Sequence, residues 1–182
     1  IYQADLGGWT GQLGYGSPSV WIANVYEAAA DETVRAAGFY ALKPNTSYRL
    51  WVFPVPEKEM TEQALENCLR DKTTSSSGTT ASAGTTVVTG TLPEAGYYTI
   101  AFGEGLNIKK GERFAVAAEL YSPGTVQPAA IEYRGTGRSA NVDTSDGEGY
   151  ISADGVEWKR VEEQLDANIC LKVYTKRSRD PQ

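Results

Sequence analysis

Histidine is absent from all 182 residues, and that gap alone removes several chemistries. A Ser-His-Asp triad, a Cys-His nucleophile pair and a His-based zinc site all need an imidazole. Cysteine is scarce as well. Cys68 and Cys170 fit no CxxC spacing and have no imidazole to raise their thiolate fraction. Their separation favours two independent thiols over a disulfide, without deciding it. No apolar run approaches the roughly 20 residues that a helix needs to cross a bilayer. The opening Ile1-Tyr2-Gln3-Ala4-Asp5 has neither the basic start nor the apolar centre of a secretory signal, so the segment is expected to come from a longer precursor. Positive charge is in short supply: 17 basic residues face 23 acidic ones, for a net charge of −6. Nucleic-acid binding calls for a concentrated positive face. The one basic cluster, Lys172, Lys176, Arg177 and Arg179, reads as a last strand and a solvated tail.

What is present points to strands. The chain is 41% hydrophobic and 22% charged, enough for one buried domain, expected over 1–175 with 176–182 as a tail. Val20 to Tyr26 is filled with β-branched and aromatic residues, as in a strand covered on both faces. Thr33 to Leu42 and Thr46 to Phe53 follow, the latter stopping at Pro54 and Pro56. Phe114, Val116, Ala118 and Leu120 alternate with Arg113 and Glu119, and Ile169, Leu171 and Val173 alternate with Cys170, Lys172 and Tyr174. Such a period of two marks an antiparallel sheet buried on one side. Tyr97–Phe102 and Ala129–Tyr133 add two strands, and glycine and proline punctuate the gaps. About eight to ten strands at this spacing predict an all-β fold: a two-sheet antiparallel β-sandwich or jelly roll. One long insertion around 55–86 breaks the pattern. Within it Met60, Leu65, Cys68 and Leu69 stand at helical spacing before the low-complexity stretch Thr73 to Thr86. A short helix or irregular loop followed by a mobile stretch is expected there, and the simplest reading is a tolerated surface excursion.

Several segments also stand in a telling order: Gly8-Trp9-Thr10-Gly11, Leu13-Gly14-Tyr15-Gly16, Ala23-Asn24-Val25-Tyr26, Gly38-Phe39-Tyr40, Gly96-Tyr97-Tyr98-Thr99-Ile100, Ile131-Glu132-Tyr133, Tyr150 to Trp158 and Asn168 to Tyr174. In order and spacing they resemble the lectin-like domain found beside the papain-like peptidase domain in bacterial cell-surface cysteine proteases, including those of clostridia. The resemblance spans nearly the whole chain outside Pro56 to Thr86 and the tail. It implies a carbohydrate-binding-module-like sandwich, placed outside the cell or on its surface, with an adjacent peptidase domain as partner. Neither Cys68 nor Cys170 corresponds to the peptidase nucleophile.

A sugar-binding surface needs an aromatic platform with polar groups beside it. The richest such stretch is the glycine-rich segment holding Trp9 and Tyr15, with Asp5 and Gln12 nearby. The simpler reading is that the same segment wraps its Trp onto the core. A second candidate holds Glu148, Tyr150 and Trp158, with Asp146 and Asp154. Its alternative is a stabilised hairpin with Tyr150 and Trp158 paired across the turn. Trp21 and Trp51, both mid-strand, read as core. An EF-type calcium loop fails, because counting back from Gly147 or Gly149 puts Val142 or Thr144 first. Structural calcium in a discontinuous oxygen site stays open with no ligands named, and no other cofactor is indicated. Glu119 and Glu132 are a nominal carboxylate pair for glycoside hydrolysis, but outward carboxylates on a sheet are ordinarily solvated. The expected function is therefore non-catalytic: binding a glycan or cell-wall polymer or positioning the peptidase. The alternatives are a purely structural spacer and a hydrolase.

Overall fold

The computed structural model describes residues 1–56, 62–74, 84–137, 141–145 and 149–178. Met60, Asp146, Gly147, Glu148, Arg179 and most of the polar stretch after Thr74 lie outside the described residues. The strands are β1 (Gly11–Leu13), β2 (Ser19–Glu27), β3 (Glu32–Ala41), β4 (Thr46–Val55), β5 (Thr86–Leu92), β6 (Gly96–Ile108), β7 (Arg113–Tyr121), β8 (Ala129–Tyr133), β9 (Gly149–Ser152), β10 (Trp158–Arg160), β11 (Ala167–Ile169) and β12 (Leu171–Arg177). Two helices interrupt them, α1 (Glu62–Thr74) and α2 (Val161–Leu165).

The strands form an all-β antiparallel sandwich. One layer is a six-stranded sheet ordered β10-β9-β2-β7-β4-β5. The other consists of two three-stranded sheets, β1-β8-β11 and β12-β3-β6. One apolar core fills the space between the layers and draws on all three sheets: Val20, Ile22, Phe39, Leu50, Val116, Ile131, Ile169 and Leu171 are among its members. Inward residues alternate along each strand as the period of two requires.

The last strand is more elaborate than its alternation suggests. It breaks at Cys170, so Ala167–Ile169 pairs with β8 and Leu171–Arg177 pairs with β3. One continuous stretch thereby joins the two small sheets. Asn24, fully buried in β2, fixes the crossing: its amide nitrogen sits within hydrogen-bond reach of Leu171 O at 2.9 Å, the Tyr26 hydroxyl at 2.9 Å and Ile169 O at 3.2 Å, and its two hydrogens are shared among them. β12 runs on to Arg177, opposite Glu32, into the stretch assigned to a tail.

β6 also outruns its expected end at Phe102. A bulge opposite Val34–Ala36 carries it through Gly103-Glu104-Gly105 to Ile108. Gly105 is left-handed (φ 77°) and its α-carbon lies against Val34 O, so no side chain fits there.

The excursion at 55–86 is not a mere surface loop. Helix α1 lies on the outer face of the six-stranded sheet, where Leu65 and Leu69 cover Trp51, Phe53, Ala115 and Ala117 in a second apolar cluster. In the second half of β4, Trp51, Phe53 and Val55 are therefore apolar under the helix, while Leu50 and Val52 are apolar toward the core. Thr73 Oγ1 donates to Gly155 O at 3.3 Å, and Arg160 pairs with Glu62 at 3.3 Å, clamping both ends of the helix.

Candidate functional site

The outer face of β12-β3-β6 carries an aromatic strip. β3 turns Phe39 inward and Tyr40 outward, β6 presents Tyr97 opposite Tyr40, and β12 contributes Lys172 opposite Gly38 and Tyr174 opposite Ala36. Trp9 leans on Tyr40 with ring centroids 5.6 Å apart, and Tyr40 meets Tyr97 at 5.0 Å. The Tyr97 and Tyr174 hydroxyls are hydrogen-bonded at 2.8 Å across the strand between them. Gly38 permits this bridge, because a methyl group there would fall 2.8 Å from Tyr97 Cζ and 3.0 Å from Tyr174 Cε2. Trp9 (46%) and Tyr97 (40%) keep much of their surface exposed. Burial, the Tyr174 hydrogen bond and the nearby Tyr174 and Asp5 push the Tyr97 hydroxyl pKa well up.

Beneath Trp9 the chain is pinned by polar contacts. Asp5 is fully buried and ion-paired with Lys172 at 3.4 Å. Burial raises the Asp5 pKa, partly offset by the Lys172 charge and by hydrogen bonds including those from Lys172 and Cys170. Gly7 N–H donates to the buried Glu132 carboxylate, and Thr10 N–H to Ile131 O at 2.9 Å. Both cysteines are free thiols. Burial foremost, then the Asp5 charge, holds the Cys170 thiol far above its ordinary range, so it is inert as a nucleophile.

Of the seven residues singled out from sequence, the six that are described do not converge. Trp9 and Asp5 belong to the strip and its support. Tyr15 (44% exposed) lies elsewhere, near Asp154, whose charge adds to burial in raising the tyrosine pKa. Gln12 is exposed on β1, bordering a separate hollow with Lys43 and Val126. Tyr150 and Trp158 are interior under α1, and the Trp158 indole N–H is taken up by Gly155 O at 3.0 Å. They do share a hairpin, but Trp158 faces Ser152 and Tyr150 faces Arg160. A ring buried on both faces offers no platform, which removes Tyr150 and Trp158 as binding surface; Asp5, fully buried, acts only from beneath. Glu148 lies outside the described residues. Trp51 is core as expected, whereas Trp21 is only half-buried.

A two-layer sandwich with this strip invites comparison with known proteins. The family model described as "Lectin like domain" matches residues 1–175. The chain belongs to the lectin-like domain family. Two solved structures share the fold. The clostridial cysteine protease Cwp84 after propeptide cleavage aligns over 97% of this chain and 40% of its own, with a TM-score of 0.70 and 18% identity. The cysteine protease and lectin-like domains of Cwp84, a surface layer associated protein of Clostridium difficile, align over 89% of this chain and 33% of theirs, with a TM-score of 0.64 and 19% identity. The lectin-like domain thus spans well under half the length of those chains. No curated protein matches it.

Residues that would suit a hard cation occur in this lectin-like domain. Among the described residues no group of three or more His, Cys, Asp or Glu side chains is placed to hold a metal. Calcium, however, also takes backbone and amide oxygens. The Asn168 amide nitrogen faces three oxygens, Ala4 O at 3.2 Å, Glu132 Oε2 at 3.2 Å and Asp143 O at 2.8 Å, while the buried Asn168 Oδ1 has no hydrogen-bond partner. An amide has only two hydrogens for these three acceptors. Turned by half a revolution, Asn168 presents Oδ1 to the same oxygens, giving the all-oxygen donor set calcium prefers.

Sequence reasoning missed Tyr40, Tyr97, Tyr174 and Lys172. Alternation does place Tyr97 and Tyr174 outward, but only the pairing register of three strands distant in sequence puts them around Gly38.

Proposed function

We propose that this lectin-like domain is a non-catalytic extracellular recognition module, binding a glycan or cell-wall polymer across the Trp9–Tyr40–Tyr97–Tyr174 strip and positioning a cysteine peptidase domain of the same parent protein. The observation that carries this reading is the contiguity of four aromatic residues on one outer sheet face, fixed by each other and by Gly38. Aromatic rings stack on the apolar faces of sugars, and the tyrosine hydroxyls and Lys172 supply hydrogen bonds beside them. The association with a peptidase and with a cell surface is drawn from the Cwp84 structures that share the fold. Support for the non-catalytic part comes from the carboxylates. Glu119 is paired with Arg49 on the outer face of the six-stranded sheet, while Glu132 is buried in β8 and engaged by Gly7 and Asn168. They sit on different sheets, in different layers of the sandwich.

A calcium ion held by Ala4 O, Glu132, Asp143 O and Asn168 would serve this function indirectly. It would tie the segment that carries Trp9 to β8 and β11, so that the indole is in place before ligand arrives.

The test is a pull-down of the isolated chain with purified bacterial cell-wall polysaccharide, alongside a glycan array. Binding that falls sharply in Trp9→Ala and in Tyr97→Ala supports the strip. No binding by the native chain, combined with altered peptidase maturation when the domain is deleted from its parent, would favour the spacer instead.

A further inference from the structure

Among the described residues, the outer face of the six-stranded sheet is covered over one half. Helix α1 seals the half containing Trp51 and Phe53. In the open half, pairing aligns Trp21, Glu119, Arg49 and Thr89 in one row and Tyr121, Ser47 and Thr91 in the next. These rows border a shallow groove of about 360 Å³. Its centre is the Arg49–Glu119 ion pair at 3.7 Å, with side chains 37% and 33% exposed. The Arg49 guanidinium also rests over the Trp51 ring, 5.7 Å from its centroid, so the pair is held before any ligand arrives and little rotamer freedom is lost on binding. Tyr121 is 49% exposed at one side. Trp21, paired beside Glu119, packs against the cluster under α1, and Gly155 lies directly against its indole, an approach that only the missing side chain and left-handed backbone of Gly155 (φ 75°) permit.

We infer that this groove is a second saccharide site, on the face of the sandwich opposite the aromatic strip, and that it takes one or two neutral sugar rings. A guanidinium beside a carboxylate offers donors and acceptors at the spacing of a vicinal diol, the Ser47, Thr89 and Thr91 hydroxyls extend that pattern, and Tyr121 offers an apolar face. The volume lies at the small end of the range for ligand sites, about 300–1,000 Å³, which suits a chain end rather than a long polymer. Charge selects against anions: the ion pair is neutral as a unit and the chain carries −6, so phosphate-rich or uronic polymers gain no net attraction. The site stands on its own residues and does not depend on the strip binding anything.

The experiment is nuclear magnetic resonance titration of the full, isotope-labelled chain with glucose, galactose, N-acetylglucosamine, cellobiose and lactose, with glucuronic acid as the anionic control. At least one neutral sugar is expected to shift the Trp21 indole N–H and the Arg49 Nε–H together and saturably, with a Kd of about 1 mM. Glu119→Gln and Tyr121→Ala should each weaken that binding about tenfold or more, while Trp9→Ala leaves it intact. Tyr121 is exposed, so its variant separates lost binding from lost folding. The inference is overturned if none of the sugars moves these resonances, if glucuronic acid alone does, or if the shifts vanish with Trp9→Ala and persist in Glu119→Gln. That last pattern would leave the strip as the sole site, whereas shifts at Trp21 and Arg49 without polymer binding at the strip would sink the strip alone.

Discussion

Gly38→Ala separates recognition from folding in this domain. Gly38 has no positive φ, so alanine fits the backbone, and replacing a strand-interior glycine contributes about 0.5–1 kcal/mol in favour of the fold. The new methyl group, however, would stand 2.8 Å from Tyr97 Cζ and 3.0 Å from Tyr174 Cε2, well inside the ~3.5–4.0 Å of a comfortable carbon contact. Both rings are partly exposed, so they swing outward rather than force the sheet apart. Their hydroxyl bridge is lost, at about 0.5–1.5 kcal/mol, which roughly cancels the backbone gain. Calorimetry should therefore find stability within about 1 kcal/mol of the native chain, with the core below undisturbed. Recognition should change more. Misplacing one or two rings removes about 0.5–1.5 kcal/mol of aromatic contact, or roughly two- to tenfold in affinity. Isothermal titration with whichever cell-wall polysaccharide the native chain retains measures this. Native affinity in a Gly38→Ala chain whose Tyr97 and Tyr174 resonances have shifted would refute the idea that the strip binds through those rings.

Helix α1 should be a structural lid: Leu69 is fully buried, so Leu69→Ala is expected to cost about 2–5 kcal/mol, roughly 5–15 °C in Tm for this length. An unchanged Tm would show that the sheet face needs no cover. Asp5 is expected to oppose stability once ionised. Its folded pKa is raised, chiefly by burial, so its favourable contribution is complete below the unfolded value of about 3.9 and is lost as pH rises through the folded value. Asp5→Asn should flatten that part of the curve and be at least as stable at pH 7. Urea midpoints against pH test it, and a clear loss of stability at pH 7 would mean that the attraction to Lys172 outweighs desolvation. Finally, if calcium occupies the Ala4–Glu132–Asp143–Asn168 oxygens, chelation of a chain previously held at about 100 times its Kd should remove about 2.7 kcal/mol. Asn168→Asp should then retain calcium-dependent melting, whereas melting indifferent to both calcium and chelator rules the ion out.

The strands themselves were legible because a strand declares itself locally. Apolar residues at every second position in Phe114–Leu120, or at nearly every position in Val20–Tyr26, can be buried only on one face or on two, and β7 and β2 form there. β5 and β1 were not legible: Thr86–Leu92 is half threonine and glycine in character, and Gly11–Leu13 is three residues long, so neither carries a readable period. The spacing around Leu65 and Leu69 left a short helix or an irregular loop open, and did not show that the outer face of β4 lies beneath it.

The sites depended on register. Sequence alone determined that no imidazole chemistry is available and that strands stack into layers; for Trp9 it left open whether the ring is presented or wrapped onto the core. Tertiary structure alone decided that Tyr150 and Trp158 are interior, that Trp9 meets Tyr40, which in turn meets Tyr97 and through it Tyr174, and that Arg49 faces Glu119. Alternation assigns a residue to one side of its own strand, whereas its neighbours on that side are set by how distant strands align, and a slip of one residue would exchange every one of them.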